Sequence, residues 1–275
     1  DGNFHSFFES GSESGGTGWL VLYKYYQSSW LLLRYAQGKT DVGMVTAAAL
    51  FPVEAGEAAE ITATIPLAPA DPDKFAADAW RSAQRDRCQL VCPEPRYQFL
   101  YDAAITSLIL HSPDDVYPGP YTYKRFWFRD AAFIIHALLC AGLTERAERA
   151  LARFPMRQTT LGYFRSQEGE WDANGEVLWI LQRFFALTNR PPPPDWHGPI
   201  VRGARWIVRK RLADGLDAPH AGLLPAGFSA EHLGPNDYYY WDDFWGVAGL
   251  RAAAAMLADT DPPHALEFSR AADEF

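Results

Sequence analysis

The spacing of apolar residues changes character between the first quarter of the chain and the remainder. In residues 1–68, short runs rich in β-branched and aromatic side chains alternate with glycine-rich or polar turns, a pattern typical of β-strands. We predict strands at 19–26, 30–34 and 61–65. This part of the chain is interpreted as a portion of a β-sandwich.

A proline- and alanine-rich stretch at 66–72 marks a boundary, because such residues interrupt regular structure. We expect a linker over 69–96 with a helix at 75–87, followed by a second domain over 97–275. In that domain the apolar residues recur at helical spacing. Helices are predicted at about 97–111, 130–141, 144–154, 174–188, 199–212, 241–258 and 263–275.

The connections between the predicted helices alternate between short and long. Gly142 and Thr144 suit a tight turn between two helices, whereas the connections near 155–173 and 213–240 are long, aromatic and acidic. Helical hairpins of this kind gather their long loops at one end. The predicted fold class is mainly α: a partial (α/α)6 toroid of helical hairpins, incomplete at its C-terminus and preceded by part of a β-sandwich.

The composition of the chain limits the kinds of molecule that we expect it to bind. The formal net charge is −9, which disfavours nucleic acid because phosphate binding requires a basic surface. No run of about 18 apolar residues is present, so no membrane span is predicted. Aromatic residues make up 15% of the chain, with ten Trp. Trp and Tyr combine a large apolar face with a polar group, which suits sugars and other amphiphilic ligands as well as a large aromatic core.

The cysteines and histidines predict neither a disulfide framework nor a metal site. Three Cys do not make a framework, and Cys88 and Cys92 lack two further ligands at a zinc-binding spacing. The histidines, His197 and His264 among them, show no metal spacing. A glycine-rich phosphate loop of the required form is also missing from the sequence, so we expect no metal and no cofactor.

Three aromatic and acidic segments precede or begin predicted helices, at 123–130, 170–176 and 229–245. Arg and Asp side chains hydrogen-bond vicinal hydroxyl groups, and aromatic faces stack on the C–H surface of a sugar ring. The candidate substrate-binding residues are Trp127, Arg129, Asp130, Trp171, Asp172, Trp241 and Asp242.

Several of these residues also have a structural interpretation. Asp172, Asp242 and Asp243 are suited to capping the helices that follow them. Arg129 and Asp130 are adjacent and could form a mutual structural pair. Glu176, one turn into its helix, fits the role of a first-turn acid.

Taken in order, the Phe-Trp-Phe-Arg-Asp element at 126–130, the segment at 171–179 and the segments at 222–225 and 240–245 resemble the six-hairpin glycosidases. These include glucoamylases, bacterial glucodextranases and glycogen-debranching glucosidases. The resemblance covers roughly 97–275, and the β-rich region and linker helix match the usual arrangement upstream. It implies a glycoside hydrolase, inverting and exo-acting on an α-linked glucan or oligosaccharide, with Arg129 and Asp130 binding the terminal sugar. A cytoplasmic location is a separate expectation.

The resemblance also implies where the general acid lies. In that family it comes from the loop between the fifth and sixth helices, which corresponds here to 213–243. The candidates are Glu231, which lies among small residues in a loop of Gly and Pro, then Asp237 and, at the end of the segment, Asp242 and Asp243. The adjacent glutamates that follow a Trp in glucoamylases are missing from this sequence, so the match does not choose among them. An exposed loop position is the structural interpretation of Glu231.

Two other functions remain open at this point. A phosphorylase on the same toroid would use phosphate as the nucleophile, and a carbohydrate-binding protein would keep the stacking residues without catalysis. The family's base lies in later helices, so we expect it outside this chain. We therefore expect the isolated chain to be nearly inactive and to associate through exposed apolar faces, while its oligomeric state stays open.

Overall fold

The computed structural model describes residues 18–25, 29–36, 55–56, 58, 77–119, 123–231 and 234–275. The chain divides into two compact units, Asp1–Ala70 and Asp71–Phe275. The described part is mainly helical, which confirms the predicted class in its coarse form.

In the first unit the structure describes an antiparallel pair of strands. Strand β1 spans Gly18–Tyr25 and strand β2 spans Ser29–Ala36. The register pairs Gly18 with Ala36 at one end and Tyr25 with Ser29 at the other. The strand predicted at 61–65 lies outside the described residues, so the β-sandwich stays a prediction.

The second unit is built from helices whose ends have local causes in the sequence. Prolines occupy the first turns of α2, α6 and α8, where a missing N–H costs nothing, and Asn189 closes α5 in the left-handed conformation. None of the described helices is long and apolar enough to cross a bilayer. The helices are α1 Ala77–Ala83, α2 Pro95–Leu110, α3 Phe128–Cys140, α4 Thr144–Leu151, α5 Ala173–Thr188, α6 Pro194–Lys210, α7 Tyr240–Leu257 and α8 Pro262–Asp273, with a short 3-10 helix at Phe154–Arg157.

The turn between α3 and α4 follows the glycine that the sequence singles out. Gly142 has a φ of 78°, which a side chain disfavours. Its N–H donates to Leu139 O at 3.0 Å, and the N–H of Leu143 donates to Leu138 O at 2.8 Å. These two bonds satisfy carbonyl groups at the end of α3 in a Schellman motif, so the helix stops here and the chain reverses.

The helices from α3 onward form two layers. In the inner layer α5 lies between α3 and α7 and packs against both, while α4, α6 and α8 each pack back against the helix that precedes them. Apolar side chains fill the space between the layers, and burial of each such side chain stabilises the fold by about 1.5–3 kcal/mol. The described hairpins are those of an α/α array; a closed toroid stays a prediction. Completely buried core residues include Phe128, Leu178, Ile180, Ile200 and Phe268.

Helices α5 and α7 approach each other closely at two glycines. A Cβ on Gly249 would lie 2.5 Å from the Cα of Gly175, and a Cβ on Gly175 would overlap the carbonyl oxygen of Trp245. A side chain at either position would push the two backbones apart. The approach therefore depends on glycine, and it places the first turn of α5 against the middle of α7.

The substitution Gly175→Ala is expected to lower the unfolding temperature by several degrees. The added methyl group meets rigid backbone, and overpacking of this kind costs about 1–3 kcal/mol, with about 2–4 °C for each kcal/mol in a unit of this size. That cost has to exceed the gain of about 1 kcal/mol that Ala brings to a helix relative to Gly.

The matched control is Gly215→Ala, because a Cβ on Gly215 meets nothing within 4 Å. Differential scanning calorimetry of the two variants and the parent protein measures the effect. An unfolding temperature for Gly175→Ala equal to or above that of Gly215→Ala would contradict the close crossing of α5 and α7.

Candidate active site

The N-terminal ends of α3, α5 and α7 meet around the guanidinium group of Arg129. Arg129 Nη1 lies 2.9 Å from Asp172 Oδ2 and 3.5 Å from Glu170 Oε2. From the first turn of α7, Trp241 Nε1 donates to the same oxygen of Asp172 at 2.8 Å. Asp172 thus connects the start of α5 to the starts of both neighbouring inner helices.

Carboxyl groups are concentrated at this point and withdrawn from water. Glu170, Asp172, Glu176 and Asp242 are each 3% exposed or less, and Arg129 is the cation that acts on them. We call these five residues the acid cluster. Burial of an ionised carboxylate costs several kcal/mol before pairing, and converging helix N-termini offset only part of that cost. Such an excess of buried acid over base is unfavourable for stability and is common at functional sites.

The environment keeps protons on part of the acid cluster. Burial raises the pKa of Asp242 to about 8, and the nearby carboxyl groups of Asp172 and Asp243 add to the effect. Burial also raises the pKa of Glu176 well above its ordinary value, with a further contribution from Asp172. Neither carboxyl oxygen of Glu176 has a hydrogen-bond partner. Asp242 therefore holds a proton at neutral pH and is able to donate it.

Arg129 stays charged despite its burial. Burial alone acts against the cation, but the carboxylates of Asp172 and Glu170 outweigh it and raise the pKa of Arg129 above its ordinary value. Its Nη1 donates to Asp172 and its Nη2 lies 3.5 Å from Glu170 Oε1. The guanidinium group is thus held as a fixed hydrogen-bond donor.

The structure brings together several of the residues that the sequence proposes for substrate binding. Arg129, Asp172 and Trp241 are joined by direct hydrogen bonds, and Asp242 follows Trp241 in the same turn. The carboxyl group of Asp130 is close enough to contribute to the raised pKa of Glu176. Trp241 is 39% exposed, so part of its ring faces solvent beside the acid cluster. Trp241 thus presents part of an aromatic ring to solvent next to buried polar groups.

The other two tryptophans of the predicted site are buried in packing. Trp171 is 7% exposed and its ring lies under the ammonium group of Lys210, 3.8 Å from the ring centroid. Trp127 is 8% exposed, and its Nε1 lies 3.4 Å from Gln167 Oε1. Neither ring has an open face, and a sugar-stacking role for them stays a prediction.

The two loop carboxylates proposed as general acids lie on the surface. Glu231 is exposed, and its N–H donates to the hydroxyl oxygen of Ser229 at 3.2 Å. Asp237 is also exposed, and its backbone forms an isolated bridge with Gly227 through bonds of 2.9 and 3.1 Å. Both lie outside the contacts of the acid cluster, and a catalytic role for them stays a prediction.

The aspartates at the start of α7 do not cap it. The N-cap position is Tyr239, and Asp243 instead accepts the backbone N–H of Leu224 at 2.9 Å. Burial raises the pKa of Asp243, whereas the Leu224 N–H lowers it. Asp172 likewise occupies the N-cap position of α5 without a side-chain capping bond, because its carboxylate is directed at Arg129 and Trp241 instead.

The sequence did not predict the burial of two members of the acid cluster, Glu170 and Glu176. Asp172 and Glu176 are four residues apart, which places both on the same side of a helix start, but nothing local indicates that Glu176 is buried. Glu170 precedes the helix and begins the acidic segment at 170–176, but the sequence assigns it no role. Asn174, which lies between Asp172 and Glu176, has a structural role. Its side chain accepts the N–H of Phe164 and donates to the carbonyl oxygens of Gly162 and Gly203.

Comparison with known protein families, curated proteins and solved structures finds no match for this chain.

Proposed function

We propose that this chain carries the sugar-binding and proton-donating site of a glycoside hydrolase, inverting and exo-acting on an α-linked glucan or oligosaccharide. The observation that carries the proposal is the burial of Asp242 beside the Arg129–Asp172 pair, which raises the pKa of Asp242 to about 8. The partly exposed indole of Trp241 adjoins both.

Hydrolysis of a glycosidic bond requires an acid that protonates the leaving oxygen while the bond from the anomeric carbon to that oxygen breaks. In the inverting reaction a second carboxylate deprotonates the water that attacks the opposite face. The acid has to retain its proton at the working pH, which a raised pKa provides. Asp242 has that property and belongs to the 213–243 segment in which the family resemblance expects the acid.

The same segment offers less suitable alternatives. Glu231 and Asp237 are exposed to water, and Asp243 already accepts the N–H of Leu224. Asp242 is 3% exposed and faces the other carboxyl groups of the acid cluster. We therefore assign the general-acid role to Asp242.

The neighbouring groups are suited to hold the terminal sugar. Arg129 and Asp172 present a charged donor and a charged acceptor side by side, and a hydrogen bond from a hydroxyl group to a charged partner contributes about 1.5–3 kcal/mol. The ring of Trp241 packs against the sugar, while its Nε1 keeps Asp172 in place. In this arrangement Trp241 both orients the carboxylate and forms a wall of the subsite.

The substitution Trp241→Ala is expected to weaken binding of maltose and longer maltooligosaccharides by about tenfold or more. It removes a stacking face, worth about 0.5–1.5 kcal/mol beyond its buried area, and a hydrogen bond that positions Asp172. Isothermal titration calorimetry measures the change in affinity.

Tyr240→Ala is the matched control for that experiment. Tyr240 is the preceding residue of the same helix, is 67% exposed, and stacks on Phe244 rather than on the acid cluster. Its loss is expected to leave the affinity unchanged. Equal affinities for Trp241→Ala and the parent protein would remove Trp241 from the sugar site.

Turnover is tested with the protein and an aryl α-glucoside, with and without inorganic phosphate. Release of β-glucose, detected by NMR before mutarotation, is the expected result. Turnover that requires phosphate would identify a phosphorylase, and sugar binding without turnover would identify a binding protein. Failure of α-glucans both to bind and to react would contradict the proposed function.

A further inference from the structure

A second cluster of polar side chains joins the outer helices α6 and α8. His197 lies in the first turn of α6, Asp261 is the N-cap of α8, and His264 lies in its first turn. Asp261 Oδ2 lies 2.8 Å from His197 Nε2 and 2.5 Å from His264 Nδ1. Two imidazole nitrogens from different helices are thus directed at one carboxylate oxygen.

Among the described residues, this is the one group of three His, Cys, Asp or Glu whose potential ligand atoms lie within 4.8 Å of one another. The acid cluster, although richer in carboxyl groups, does not meet that condition. The two imidazole rings are 6.3 Å apart between centroids and inclined at 73°. Their nitrogens therefore approach the carboxylate from different directions, as the ligands of a tetrahedral ion do.

We propose that His197, Asp261 and His264 form a binding site for a divalent transition-metal ion, with zinc as the best fit. This site is independent of the proposed hydrolase function. Two histidines and one carboxylate with a fourth position open to water are a ligand set that zinc adopts. Magnesium and calcium prefer sites made of oxygen ligands, so they should not compete.

The geometry requires only a small rearrangement to accept the ion. Bonds of about 2.0–2.2 Å from zinc to each ligand place tetrahedral ligand atoms ~3.4 Å apart, so the present distances of 2.5 and 2.8 Å have to widen by less than about 1 Å. The His197 side chain is 44% exposed and is free to make that shift. The imidazole of His264 stacks on Phe268 of the same helix, which fixes its position relative to α8.

The position of the site indicates a structural role. α6 begins after the short connection from the end of α5, and α8 begins after the short connection from the end of α7. The histidine cluster therefore lies at the end of the helical layers opposite the acid cluster, which is at the starts of α5 and α7. A bound ion would fasten two adjacent hairpins without contacting the sugar site.

The spacing along the chain explains why the sequence alone gave no sign of this site. Asp261 and His264 are one helical turn apart, but His197 precedes Asp261 by 64 residues. Only the packing of α6 beside α8 brings the third ligand into place.

The test is titration of the whole chain with zinc chloride, followed by calorimetry and by the shift in unfolding temperature. We expect one zinc ion per chain and a raised unfolding temperature, because an ion that binds only the folded state stabilises it. His197→Gln should weaken binding by about 100-fold or more, since even indirect partners of metal ligands alter affinity by about 10–100-fold. Asp261→Asn should do the same while keeping a residue suited to the N-cap.

Two controls make the result decisive. His220→Gln removes a half-buried histidine that stacks on Tyr238 and should leave zinc affinity unchanged. Alkylation of the free thiols of Cys88, Cys92 and Cys140 should also leave it unchanged. Absence of zinc binding by the parent chain at millimolar concentration, or binding that survives His197→Gln and disappears on alkylation, would overturn the proposal. Comparable binding of magnesium or calcium would do so as well.

Discussion

Under the proposed hydrolase function, replacement of Asp242 by Asn is expected to lower kcat by about 10²–10⁴-fold, the contribution of a general acid. The amide has nearly the same shape but has no proton to transfer to the leaving oxygen. Binding of the sugar should change little, because the Arg129–Asp172 pair and Trp241 remain in place. Initial rates on an aryl α-glucoside, measured at several substrate concentrations, separate kcat from KM.

The matched control is Asp243→Asn, at the next position of the same turn. Asp243 accepts the N–H of Leu224, and an Asn oxygen is able to accept the same bond. This variant should retain most of the turnover. Equal losses in the two variants would indicate a general disturbance of α7, and full activity of Asp242→Asn would move the acid elsewhere in the 213–243 segment.

The substitution Asp242→Asn should also stabilise the protein at pH 8. The pKa of Asp242 is about 8 in the folded protein and about 3.9 in an unfolded chain. Between these values the folded state binds more protons than the unfolded state, so the free energy of unfolding falls as the pH rises. Asn has no such dependence. The unfolding temperature of Asp242→Asn should therefore exceed that of the parent at pH 8 and approach it at pH 5.

A loss of activity combined with a gain in stability would mark Asp242 as a residue retained for chemistry. A variant that is destabilised equally at pH 5 and pH 8 would instead point to a packing role for the carboxyl group.

Helix positions could be predicted from the sequence because their causes are local. The period of the apolar residues and the placement of Gly142 lie close to the helix ends they determine. The start of α6 was predicted too late, at 199, because proline fits the first turn of a helix and α6 begins at Pro194. The segments at 123–130 and 229–245 were also recognised locally, because aromatic residues beside acids are unusual at helix starts. For these features the structure adds only the exact bounds.

The burial of individual site residues could not be predicted, because it depends on which helices pack together. Glu176 has the sequence context of an ordinary first-turn acid, yet it is completely buried once α5 lies between α3 and α7. Trp171 and Trp241 have similar acidic neighbours, but one ring packs under Lys210 and the other faces solvent. The contact between Arg129 and Asp172 spans 43 residues, so no local pattern encodes it.

Replacement of Arg129 by Leu is expected to destabilise the protein by about 3–5 kcal/mol at pH 8, the usual effect of removing one partner from a buried ion pair. The Arg129 side chain is 16% exposed, and those of its partners Glu170 and Asp172 are 3% and 2% exposed. Arg129 holds down the pKa values of Glu176 and Asp242, so without the guanidinium group both values rise further in the folded state. The folded variant then holds more protons than the unfolded chain, and its free energy of unfolding declines as the pH increases.

The penalty for Arg129→Leu should therefore be largest at pH 8 and smaller at pH 5, where more of the acid cluster is protonated. Arg205→Leu is the matched control, because Arg205 pairs with Glu267 on the surface, with both side chains more than 40% exposed, and such pairs contribute about 0–1 kcal/mol. Urea unfolding of both variants at the two pH values measures the difference. If Arg129→Leu proved no more destabilising than Arg205→Leu at pH 8, the carboxyl groups would not depend on Arg129, and the electrostatic basis of the proposed site would fail.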